Sequence, residues 1–178
     1  MFSNAVSTRL AGVMAGLILI FVIVVMVGVI SFGVFTQSMA NLVPEDSPYK
    51  LDLSEMTLTL QASHFAVTVF PTAFSCWGFL GLRRTFLEAS VGRTFSTAAV
   101  SGLRRFAFVS LVIVFIDAVF DPAATAILAQ ADPEGSAAFA VEFGADEAGA
   151  LFNTLMIFFV CHVFVLAKRT QDENDAFI

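Results

Sequence analysis

Four long apolar stretches, separated by three polar connections, set the pattern of this chain. Leu10 to Phe35 contains no charged residue. That run is about 39 Å long as a helix, enough to cross a hydrocarbon core of about 30 Å with tilt. A second run covers about 58–82, a third about 106–129 and a fourth about 149–167. The third is broken only by Asp117 and Asp121. The pattern predicts an all-α membrane protein, a single domain of four transmembrane helices forming a bundle. The first run has Arg9 ahead of it and Ser38-Met39-Ala40 behind it, in the manner of a secretory signal. Its apolar length far exceeds the 7–15 residues of such a signal, so we read it as a span.

Composition sharpens this reading. The chain of 178 residues is 58% hydrophobic and 13% charged, with 21 Phe. A soluble domain carries about twice that fraction of charge. Cys76 and Cys161 sit in apolar runs with no paired spacing, so they suggest small packed side chains and not a disulfide or a zinc site.

The charges are segregated by sign. Arg9, Arg83, Arg84, Arg93, Arg104, Arg105, Lys168 and Arg169 all fall at one end of the spans, and Lys50 is the one base elsewhere. The other end carries Glu45, Asp46, Asp52 and Glu55 in a loop at 36–57, then Asp132, Glu134, Glu142, Asp146 and Glu147 in a loop at 130–148. The positive-inside rule places the basic end, and with it both termini, in the cytoplasm. The localisation expected is a plasma membrane, the inner membrane of a bacterium.

The connection at 83–105 predicts a helical hairpin. The second span extends as helix through Glu88, with Arg84 and Glu88 spaced i, i+4 for an ion pair. Gly92 is suited to stop it. Ser96 reads as the N-cap of the third helix, with Phe95 and Val100 spaced as a hydrophobic staple. The five arginines Arg83, Arg84, Arg93, Arg104 and Arg105 fit either of two uses. They anchor the hairpin at the headgroups, or they bind an anionic lipid or an acidic partner.

Depth follows from helical rise. Asp117 is 12 residues past Arg105, about 18 Å in, and Asp121 is about 24 Å in. They share a face. His64 and Asn153 lie at comparable depth by the same ruler, about 28 Å and 22 Å from Arg83 and Lys168. The expected polar cluster is therefore Asp117, Asp121, His64 and Asn153. Two readings of the acids stand: hydrogen-bonded carboxyls that hold helices together, and a proton- or cation-binding pair. Pro122 frees a carbonyl one turn back, and Pro71 could kink the second span. His64 and His162 are separated by about 19 Å in depth, too far to share a haem. No metal site and no cofactor are expected.

The segment GRTFSTAAVSGLRR, together with the terminal QDENDAFI, resembles an uncharacterised bacterial four-span membrane family, domain-of-unknown-function family 2975. Phe95, Ser96, Val100 and Leu103 match its first motif, and Glu173, Asn174, Asp175 and Ile178 match its second. The resemblance runs from about Pro71 to the end. It implies four spans and carries no activity. Members are often encoded beside small helix-turn-helix regulators, which implies a regulatory setting. The Asp pair and the Ala-rich acidic loop from Asp132 to Glu147 depart from that pattern. The acidic tail is expected to fold back onto Arg83, Arg84, Arg93 or Arg104.

Three functions follow as expectations. The first is a non-enzymatic bundle that regulates, or is regulated with, a cytoplasmic partner. The second is an accessory subunit of a larger membrane complex, with Gly12 and Gly16 as a small-residue packing strip. The third is a small oligomeric transporter of protons or cations using Asp117 and Asp121. An enzyme is not expected, because the chain has no Walker loop, HExxH, nucleophile elbow or dinucleotide fingerprint. The partners expected are membrane lipids and another protein, with no direct contact to nucleic acid. The oligomeric state stays open.

Overall fold

The computed structural model describes residues 4–34, 57–131 and 144–175. All four expected spans are helices: α1 (Asn4–Val34), α2 (Leu58–Ser90), α3 (Thr97–Ala131) and α4 (Ala145–Asp175). Each is long and apolar enough to cross a membrane, which makes this an integral membrane protein. The two acidic loops fall almost wholly outside the described residues. At 33 and 35 residues, α2 and α3 are about 50 Å long, so each overshoots the hydrocarbon by about 20 Å. The arginines occupy that overshoot.

The helices pack in chain order, α1 on α2, α2 on α3 and α3 on α4. The closest pairing is α2 with α3, and glycine makes it possible. A Cβ on Gly81 would stand 2.7 Å from the Gly102 carbonyl, and one on Gly102 would strike the Gly81 carbonyl and approach Thr85 Oγ1 to 2.9 Å. Gly78 is equally tight against Val109. Thr85 donates its hydroxyl to the Ala99 carbonyl at 2.9 Å, a hydrogen bond between helices inside this contact. Ala99 and Ala107 are wholly buried along the same seam.

The first helix presents Ala11, Ala15, Ile18 and Val22 inward, at i, i+4, i+7 and i+11. Gly12 and Gly16, the strip expected to pack, are both exposed: a Cβ on Gly12 would only graze Ser90 of α2 at 3.8 Å, and one on Gly16 would meet nothing within 4 Å. The interior stripe is the alanine pair one residue earlier. Farther along, Gln61 Nε2 donates to the Gly33 carbonyl at 3.3 Å, and Gly33 accommodates the Phe65 ring. Phe79 joins three helices, edge-on to Phe21 of α1 and 5.4 Å from Phe106 of α3 between ring centroids. Large apolar side chains cover the outer faces, among them Val24, Ile20, Phe152 and Phe159 at 60–67% exposed. Such a surface suits lipid and not water.

The hairpin at the arginine-bearing end is built as its sequence implies. Gly92 has φ +80°, the left-handed conformation glycine tolerates best. Its N–H bonds the Ala89 carbonyl and the Arg93 N–H bonds the Glu88 carbonyl, the paired bonds of a Schellman stop. Ser96 Oγ accepts from the Ala99 N–H at 3.0 Å, which caps α3. Phe95 rests against Phe164 of α4, with ring centroids 5.4 Å apart. Glu88, however, does not pair with Arg84. It takes Arg93 Nε at 3.1 Å and the Ser96 hydroxyl at 3.0 Å. The turn carries Arg93 back over the helix end, so the carboxylate ties the stop of α2 to the start of α3.

The tail also departs from expectation. Instead of folding back at the last span, α4 continues to Asp175, and Asp172 pairs with Lys168 one turn earlier at 2.6 Å. That intrahelical partner takes the carboxylate expected on the hairpin arginines. Glu173 is exposed, Asn174 and Asp175 end the helix, and Ile178 lies outside the described residues.

Candidate functional site: an acidic cavity between the spans

Asp117 and Asp121 lie one turn apart on α3, and both line two separate cavities. The first, about 450 Å³, lies between α2, α3 and α4, and its walls include Ser75, Ser110, Asn153 and Thr154. The second, about 520 Å³, lies between α1, α2 and α3, and its walls include Thr68, Thr72 and Ser75. The aspartates, Ser75 and Phe79 line both and thus form the partition between them. Asp117 is half-buried and Asp121 is exposed. No Lys, Arg or His lines either cavity among the described residues.

Three of the four residues expected in the cluster come together: Asp117, Asp121 and Asn153. His64 does not. It is 2% exposed, packed with Phe32 of α1 at 6.2 Å between rings, and belongs to neither cavity wall. Depth alone could not place it, because depth says nothing about which face of α2 it occupies. His162 is exposed on α4. Cys76 and Cys161 are buried free thiols, and Cys76 lines the second cavity. Among the described residues, no three His, Cys, Asp or Glu side chains converge as a metal site would require.

The hydroxyls were missed in the sequence, although a signal existed. Thr68, Thr72 and Ser75 recur at i, i+4 and i+7 on α2, and Ser110, Asp117 and Asp121 at i, i+7 and i+11 on α3. Each set makes one polar stripe on a greasy helix. Thr68 and Thr72 return their hydroxyl protons to the carbonyls of His64 and Thr68, at 2.8 and 2.9 Å, which leaves lone pairs toward the cavity. Thr154 donates to the Ser110 carbonyl at 3.2 Å, pinning α4 to α3 at the first cavity.

Both prolines act at this site. Pro71 has no N–H for the Val67 carbonyl, and Pro122 none for that of Ala118. Val67 lines the second cavity and Ala118 the first. Each cavity therefore has a wall residue whose carbonyl lacks its helical donor. Carboxylates and hydroxyls are a hard oxygen donor set, suited to a proton or a hard cation.

The arginines form a second group. Arg93 is held by Glu88. Arg105 lies over the Trp77 ring, 5.3 Å from its centroid. Arg84 and Arg104 are exposed, and Arg83 is half-buried with Nε unpartnered. Val100 and Leu103 are buried.

No family model, no curated protein and no solved structure matches this chain.

Proposed function

We propose that this is a non-enzymatic protein of a bacterial inner membrane, with both termini cytoplasmic, that binds a proton or a small cation at Asp117 and Asp121. The observation that carries this reading is the shared position of the two acids on both cavity walls without a basic neighbour among the described residues. Carboxyls that merely bridged helices would be expected to face a specific donor across one interface. These instead face open volume on two sides, next to hydroxyls. A carboxylate inside a membrane costs at least about 2.5 kcal/mol on insertion scales, so an uncompensated pair calls for a ligand or a proton. Four spans enclose little volume, so transport would run through an oligomer, while binding alone would make the protein a sensor.

The test is ion or proton flux and cation binding in proteoliposomes. Wild-type protein should show one or both, and D117N and D117N/D121N should abolish them while the protein still folds. Equal behaviour of wild type and the double variant would remove the site from any function.

A second reading is the partner-binding or accessory bundle. It is favoured by the outward Gly16 on α1, a helix that packs on α2 and leaves that small residue open. The family resemblance adds a regulatory setting. Affinity purification in mild detergent should then return one defined partner with wild type and lose it with G16L.

A further inference from the structure

We propose that the flank of α2 and α3 bearing Trp77, Arg84 and Arg105 is a binding site for an anionic phospholipid, with the arginines holding the headgroup phosphate. Trp77, Gly81 and Arg84 recur at i, i+4 and i+7, so they share one face of α2. Gly81 is a notch in that face, and Arg105 of α3 crosses it. A Cβ there would stand 2.8 Å from Arg105 Nε. The guanidinium carbon lies over the indole, 5.3 Å from its centroid. Its Nε is buried without a hydrogen-bond partner. Among the described residues neither Arg84 nor Arg105 has a carboxylate within 4.0 Å, because Glu88, the nearest acid on this face of α2, is taken by Arg93 and Ser96. One guanidinium positioned over Trp77 and a second, exposed one, neither with a counterion among the described residues, match a phosphodiester.

The surroundings point to lipid. Toward the membrane interior this flank turns apolar and open, with Trp77 44%, Phe108 52% and Phe115 58% exposed. Phe108 and Phe115 follow Arg105 at i+3 and i+10, on its side of α3. Ser101, exposed one turn before Arg105, adds a hydroxyl at headgroup level. Cations above and aromatic surface below are the two ends of a phospholipid. The neighbouring helices leave this flank open. α1 meets α2 through Phe79 on another face, and α4 meets α3 at Ser110.

Trp77 is the chain's single tryptophan, so its emission reports on the site directly. Phosphatidylglycerol, phosphatidylcholine and inorganic phosphate would each be titrated into detergent-purified protein. The expected result is a saturable change with phosphatidylglycerol and none with the other two. R84Q and R105Q should each weaken the response about fivefold, the loss of one cation near an anionic surface. R104Q, on a different face of α3, should leave it unchanged. If R105Q fails to fold, R84Q at its exposed position decides the matter alone. An equal response to phosphatidylcholine, an equal response to inorganic phosphate, or equal loss in R104Q and R84Q would each overturn the assignment.

Discussion

Substituting Gly102 with alanine isolates the contact on which the hairpin depends. The added methyl would strike the Gly81 carbonyl and stand 2.9 Å from Thr85 Oγ1 and 3.3 Å from the Thr85 nitrogen. Two of these three atoms are helix backbone, so no side-chain rotation relieves the contact and the helices must separate. Inserting a methyl into a packed interior costs about 1–3 kcal/mol. Separation also stretches the 2.9 Å bond from Thr85 to the Ala99 carbonyl, and an interhelical bond of this kind contributes about 0.6 kcal/mol in a membrane. The sum is about 1.6–3.6 kcal/mol. Alanine is the better helix former by about 1 kcal/mol in water, so a measured loss would understate the collision. The assay is reversible unfolding by SDS titration in bicelles, with G16A as the control. Gly16 has nothing within 4 Å of its added methyl and should lose no stability. If G102A were within 0.5 kcal/mol of wild type, about the resolution expected for surface changes, the close crossing would be refuted. G81A should behave like G102A, and the double variant should cost less than the sum, because both relieve one contact.

Other expectations are smaller. S96A removes the cap of α3 and a partner of Glu88, and should cost about 1 kcal/mol in the same titration. E88Q should loosen the loop around Gly92 and raise its protease sensitivity, whereas R84Q should not, since Glu88 engages Arg93. T154V removes the bond to Ser110 and should cost about 0.6 kcal/mol, with α4 the first helix to exchange its amides.

The spans were readable because a bilayer imposes one requirement, length without charge, and Leu10 to Phe35 meets it without a neighbour's help. The turn was readable for a similar reason: Gly92 and Ser96 act on their own backbone. What escaped is set by rotation and partner choice between helices. Ala11 and Ala15 pack where Gly12 and Gly16 were expected, a difference of one residue that composition cannot resolve. Glu88 had two arginines in reach, and the chain's reversal at Gly92 selected Arg93. Asp117, Asp121 and Asn153 met because depth and face agreed, while His64 shared only the depth. The fate of Asp172 turned on whether the helix ended at the membrane, and apolar pattern marks where a span ends, not where a helix does.

The central claim is that Asp121 opens onto an aqueous cavity within the span while Phe159, also exposed, faces lipid on the outer surface. Cysteine accessibility measures this directly. In a C76A/C161A background, reconstituted D121C and F159C would be exposed to a membrane-impermeant, cationic thiol reagent. The account predicts rapid labelling of D121C and none of F159C, which is 63% exposed toward lipid. Equal protection of both positions would contradict it.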